Sequence, residues 1–117
     1  MPLTLFEKIW NRHQVTQDSG EFLLHVDRAL FHEGSSHAFA KLHAQGRSVA
    51  RPQQVFAFND HYVPTTGRDK GVEGIANAEI RGMVLKLAEN TRRHGITLFG
   101  IDDPRQGILH KIGRAHV

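Results

Sequence analysis

Two side chains of complementary chemistry stand side by side at Asp60-His61, directly after the apolar run Val55-Phe56-Ala57-Phe58. A carboxylate beside an imidazole can hold the ring's orientation and raise its basicity, which makes the ring a usable proton donor near neutral pH. The run follows Pro52 and fits a short strand buried on both faces. The pair then falls just past that strand's carboxyl end, where open α/β sheets place their sites. The plainer reading is that Asp60 caps a turn and His61 is a solvated loop residue. His32-Glu33 precede Gly34 and Ser35, where a ligand could meet a helix N-terminus. His110 follows Gly107-Ile108-Leu109 and would sit at the inner edge of a strand, a position where a lone histidine is more often structural.

Other chemistries are excluded or unsupported. The chain has no cysteine, so it holds no disulfide, thiol nucleophile, Cys-ligated zinc or, within this segment, Cys-ligated cluster. None of its nine histidines falls in an H-E-x-x-H pattern, their spacings share no single helix face, and no metal site is predicted. His13, His25, His37, His43 and His94 read most simply as surface residues. There is no G-x-G-x-x-G, no phosphate-binding P-loop and no nucleophile elbow, so nucleotide binding and serine hydrolysis find no support. The net charge of +3 comes from 15 basic and 12 acidic side chains, and the basic residues are scattered, which argues against a nucleic-acid partner. No stretch approaches the ~20 apolar residues of a membrane span, and Met1–Trp10 lacks the features of a signal peptide. A cytoplasmic location is expected.

These residues need elements to position them. At 117 residues, 39% hydrophobic and 23% charged, the composition is that of an ordinary soluble globular domain. Thr4 and Glu7 make a capping box, with Leu5, Phe6, Ile9 and Trp10 at helical spacing behind it, which predicts a helix from about Leu5 to His13. Gln17-Asp18-Ser19-Gly20 breaks the pattern, and Phe22–Val26 reads as a strand. Ser35 or Ser36 can cap a second helix through Leu42, stopped at Gly46. The stretch 62–75 holds Pro64, three glycines and mixed charges, and is expected to be a long irregular loop. The longest helix starts near Asn77, carries Ile80, Met83, Val84 and Leu87 on one face, and ends with Arg92, Arg93 and His94 before Gly95. Residues 96–99 and 107–110 are expected to be strands, with a turn at Asp102-Asp103-Pro104 between them. Alternation of strand and helix argues for an α/β fold.

Taken together, His32-Glu33, Phe58-Asn59-Asp60-His61-Tyr62-Val63-Pro64, Asn77-Ala78-Glu79-Ile80 and Asp103-Pro104-Arg105-Gln106-Gly107-Ile108-Leu109-His110 resemble the opening of 3-isopropylmalate dehydratase large subunits, in the aconitase superfamily. The order and spacing persist from about Leu3 to His110. The resemblance implies the N-terminal part of an aconitase-type three-layer α/β/α domain, incomplete as it stands. It implies a hydro-lyase that removes water from a hydroxy dicarboxylate and adds it back with the hydroxyl moved to the neighbouring carbon. A 4Fe-4S cluster with one open iron site would act as a Lewis acid, and a small subunit would be the partner. The positions matching Asp60 and His61 would form the carboxylate-imidazole pair that protonates the departing hydroxyl. His110 would be a second catalytic histidine and His32 a substrate contact.

A histidine at 32, where aconitases carry glutamine, favours the isopropylmalate branch and leucine biosynthesis. Homoaconitase, dimethylmalate-type dehydratases and a non-catalytic carboxylate-binding module are the alternatives. The sequence also departs from the resemblance. Family members continue past the His110 position into Asp-Ser-His-Thr and later supply three cysteines to the cluster. This chain ends Lys111-Ile112-Gly113-Arg114-Ala115-His116-Val117, which looks like a translated sequencing adapter. The expected division is 1–110 as the start of the catalytic domain and 111–117 as a non-native tail. Without Lys111 and Arg114 the net charge falls from +3 to +1. The fragment is expected to be inactive alone.

Overall fold

The computed structural model describes residues 1–109. Helix α1, Leu5–His13, begins at Thr4, whose hydroxyl accepts the Glu7 amide at 3.2 Å while the Glu7 carboxylate accepts the Thr4 amide at 2.7 Å, completing the expected capping box. Strands β1, Gln14–Asp18, and β2, Glu21–Leu24, follow as an antiparallel hairpin. Only a strand near β2 was expected from the sequence. The polar residues of β1 hide it, and the turn at Ser19-Gly20, both at positive φ, folds it onto β2. Trp10 of α1 packs edge-on against Phe22 at 5.2 Å between ring centres. No residue of α1, β1 or β2 is buried. The radius of gyration of 17.5 Å exceeds the ~13 Å of a compact chain of this length, as an unburied N-terminal unit requires.

The rest is a layered α/β unit. Strands β3, Ala29–Phe31, β4, Val55–Phe58, and β5, Thr97–Phe99, form a parallel sheet in the order β3-β4-β5. Helix α2, Ser36–Ala44, joins β3 to β4, and α3, Ala78–His94, leads into β5. Parallel neighbours need such crossovers. Asn77 caps α3 by accepting the Glu79 and Ile80 amides, and Gly95 ends it at φ 69°, where a side chain would be strained.

The period of two in each strand decides what is covered. Val55 and Ala57 of β4 join Phe39, Leu87 and Ile96 in one core, with Ala29, Phe31 and Leu98 beside them. The alternate residues Leu30, Phe56, Phe58 and Phe99 face the other way; Leu30 is 56% exposed and the three phenylalanines are half-buried. The expectation that β4 is buried on both faces is therefore corrected: α2 and α3 cover one face, and Phe56 and Phe58 stack on Phe99 of β5 on the other.

Residues 62–75 make two short 3-10 turns rather than a featureless loop. Val63, Ile75, Val84 and Ile101 form a second core that pins this segment beneath α3. Gly107 and Ile108 are not in a strand, against the expectation. Their neighbours bond elsewhere: the Gln106 side chain donates to the Asn59 carbonyl, and the Leu109 amide donates to Asp60.

Candidate functional site

Parallel strands bring three carboxyl ends to one edge of the sheet. The chain leaves β3 into His32-Glu33, β4 into Asn59-Asp60-His61, and β5 into Gly100-Ile101. This is the edge at which open α/β sheets hold ligands, and it gathers three of the four residues singled out in the sequence. Asp60 is 0% exposed. Its Oδ1 accepts the Leu109 amide at 3.2 Å, and its Oδ2 lies 3.8 Å from Nδ1 of His61. His61 is different in kind: its side chain remains 45% exposed, with its ring against Tyr62 at 4.2 Å between centres. A fully buried carboxylate thus stands behind an accessible imidazole, a pairing that has the chemistry to exchange a proton with a group placed above the edge.

His32 reaches the same place from the neighbouring strand, with its ring centre 6.5 Å from that of His61. Its backbone is extended and its Nδ1 accepts the Gly34 amide at 3.1 Å. In the neutral ring this places the proton on Nε2. Gly34 is needed there because a Cβ at that position would lie 2.7 Å from Cε1 of His32. The Ser35 hydroxyl turns back to the His32 carbonyl at 2.7 Å and makes no side-chain cap to α2. The sequence offered Ser35 or Ser36 as the cap of this helix; Ser35 stands at that position, but its hydroxyl shapes the His32 turn instead. His110 lies outside the described residues.

Several residues of the site carry roles that residue type alone did not reveal. Glu33, paired with His32 in the sequence reading, is 2% exposed and points inward. Its carboxylate accepts the Asp60 amide at 3.1 and 3.2 Å and the Asn59 side-chain amide at 3.0 Å. Asn59 is 2% exposed and bonds in every direction: its Oδ1 accepts the Ile101 amide, its own amide donates to the Phe99 carbonyl, and its carbonyl accepts from Gln106. Arg68 completes the chain of contacts by donating to the Gln106 side chain and the Ile101 carbonyl. The Asn59-Asp60-His61 and Arg105-Gln106-Gly107 motifs were the only signals for Asn59 and Gln106. Nothing in the spacing pointed to Arg68.

A cleft of about 480 Å³ beside this network is lined by Arg68, Asp69, Ile101, Asp102, Asp103, Pro104 and Gln106 rather than by the Asp60-His61 pair. Asp103 is partnered there by Arg105, whose guanidinium holds its carboxyl below the usual aspartate range. The cleft is next to the candidate acid-base group, not around it.

Other histidines read as surface residues are in fact bonded. His43 and His94 are half-buried and meet through their Nε2 atoms at 3.0 Å, while Nδ1 of His94 accepts the Val49 amide at 3.3 Å. His13 bridges to Asp27 at 2.5 Å, and His25 reaches the same carboxylate at 3.2 Å. No helix among the described residues is long and apolar enough to cross a membrane. The chain has no cysteine, and among the described residues no group of three or more histidine, aspartate or glutamate side chains could hold a metal ion. The residues present therefore do not fit the iron-sulfur cluster that the resemblance implies.

No solved structure matches the chain. The model of the aconitase family (aconitate hydratase) matches residues 7–116, nearly the whole sequence and every element that builds the site, and the chain belongs to that family.

Proposed function

We propose that this chain supplies the first part of the catalytic domain of a 3-isopropylmalate dehydratase large subunit, in which Asp60 and His61 are the acid-base pair. Aconitase-family chemistry is hydro-lyase chemistry. The parent enzyme would interconvert 2-isopropylmalate and 3-isopropylmalate by dehydration and rehydration, in the cytoplasm, as a step of leucine biosynthesis. The observation that carries the reading is the buried Asp60 carboxylate behind the half-exposed His61 ring, at the carboxyl edge of the parallel sheet and within reach of His32.

In this reading Asp60 orients the imidazole, and His61 delivers a proton to the departing hydroxyl and recovers it on rehydration. His32, held over Gly34, contacts the hydroxy dicarboxylate, and its identity as histidine is the reason for choosing the isopropylmalate branch. His110 is the second catalytic histidine. The 4Fe-4S cluster and its three cysteines belong to the enzyme outside residues 1–117, as does the small subunit that helps select the substrate's side chain.

The test is to read the source gene beyond the codon for His110, produce the full reading frame with its small subunit, and assay 2-isopropylmalate, homocitrate and citrate. We expect turnover of 2-isopropylmalate, and a loss of about 10²–10⁴-fold in kcat for His61→Ala. Turnover of citrate or homocitrate alone would move the enzyme to another branch. A reading frame that stops after Val117 would leave a carboxylate-binding module in place of an enzyme.

A further inference from the structure

We propose that Glu33 is a positioning residue for the Asp60-His61 pair, acting through the backbone of Asp60; this rests on the acid-base role proposed above. Glu33 follows His32 in the turn after β3, and its own side chain does not turn toward the open edge. It is 2% exposed, and both of its oxygens accept the Asp60 amide, at 3.1 and 3.2 Å. One oxygen also takes the Asn59 side-chain amide at 3.0 Å. A carboxylate is the one side-chain group of this length that offers only acceptors, enough for two donors arriving together.

A carboxylate buried for packing alone would be a costly choice, since desolvating it is offset only by hydrogen bonds of good geometry. Those bonds all converge on Asn59-Asp60, the two residues immediately before the exposed imidazole. Asn59 is fixed in addition by Ile101, Phe99 and Gln106, and Asp60 by Leu109. The consequence is a peptide whose orientation is determined from three sides while His61 stays 45% exposed. The direction in which Asp60 presents Oδ2 to Nδ1 of His61, 3.8 Å away, is set by this grip. Second-layer contacts of this kind are what hold a catalytic constellation to its working geometry.

The role also explains why the two residues of the β3 turn differ so sharply. His32 is placed toward the site and Glu33 away from it, so that one turn delivers a ligand contact and a brace for the acid-base pair on the next strand. Substituting glutamine would leave one acceptor and turn an NH2 group toward the Asp60 amide, and substituting aspartate would shorten the reach while keeping the acceptors.

Nuclear magnetic resonance of the labelled 117-residue chain, without substrate, provides the test. In the unsubstituted protein, coupling across the hydrogen bond should connect the Asp60 amide nitrogen to the Glu33 carboxylate carbon. The backbone bond from the Asn59 amide to the Phe99 carbonyl, 3.1 Å long, is the control in the same spectrum. Glu33→Gln should shift the balance of His61 ring tautomers by about twofold or more, and Glu33→Asp should restore part of it. Absence of the Asp60–Glu33 coupling where the control is seen, or a His61 tautomer balance unchanged in Glu33→Gln, would overturn the inference. Both readouts are independent of substrate. An enzyme that turned over some other hydroxy acid would sink the proposed function and leave the role of Glu33 standing.

Discussion

The Oδ1 atom of Asn59 accepts the backbone amide of Ile101 at 2.9 Å, so a single side chain ties the turn after β4 to the turn after β5. Asn59 is 2% exposed, and its amide group is simultaneously committed to Glu33. Replacement by alanine leaves buried donors and acceptors without partners, and we expect Asn59→Ala to lose about 1–3 kcal/mol of stability. Asn59→Asp should be worse, because it sets a second carboxylate against Glu33. Urea unfolding followed by circular dichroism measures both; equal stability of the aspartate variant and the original protein would refute the account.

Gly34 underlies the ring of His32. An alanine there requires the imidazole to move, since the new Cβ would stand 2.7 Å from Cε1, while the backbone itself needs no positive φ at this position. Gly34→Ala should therefore change stability by less than about 1 kcal/mol and yet displace His32 from its bond to the residue 34 amide. Ring resonances of His32 that do not move in this variant would contradict the geometry.

Two histidine contacts should respond to pH in opposite directions. Burial, reinforced by Arg93, His94 and Lys86 and opposed by Glu89, pushes His43 below the ordinary histidine value of 6.5. The unfolded chain then takes up protons first, so the contribution of the His43-His94 contact is complete above that value and is lost as pH falls through it. His13 goes the other way. The Ile9 carbonyl and Asp27 raise it above 6.5, opposed by Arg12, so its contribution is complete below the ordinary value and is lost as pH rises through the raised one. Amide exchange corrected for intrinsic rates, followed from about pH 5 to pH 8, should show Val49 better protected toward high pH. His25, whose amide donates to the His13 carbonyl at 2.7 Å, should be better protected toward low pH. A common trend at both amides would rule out separate contacts.

Trp10 connects α1 to the hairpin. It stacks on Phe6 at 5.6 Å and meets Phe22 edge-on at 5.2 Å, and aromatic pairs of this kind contribute about 0.5–1.5 kcal/mol each beyond area burial. Trp10→Ala should open the β1-β2 hairpin without lowering protection in β4, because no residue of α1, β1 or β2 is buried and local opening needs no global unfolding. Loss of protection at Ala57 together with the hairpin would show that the two units are coupled.

The elements with strong local determinants were legible in the sequence. The capping box at Thr4 and Glu7 marked the start of α1, and the apolar stripe through Leu87 with the Gly95 stop marked α3 from near Asn77. The Val55–Phe58 run placed β4, and with it the position of Asp60-His61 at a strand's carboxyl end. These features depend on contacts within a few residues of chain, which local pattern records. The polar β1 strand and the absence of a strand at Gly107-Ile108 were not legible, because pairing partners and side-chain anchors outside the segment decided them.

The sequence by itself determined the chemistry available at the site, a carboxylate and an imidazole in adjacent positions with a histidine elsewhere in register. Only the tertiary structure decided which groups stand together and which way each faces. His32 and His61 are separated by a strand-helix-strand crossover and stand 6.5 Å apart between ring centres because β3 and β4 are parallel neighbours. Glu33 and Asn59 turn inward because a buried edge must satisfy every donor it encloses, and that requirement belongs to the assembled sheet rather than to either segment alone.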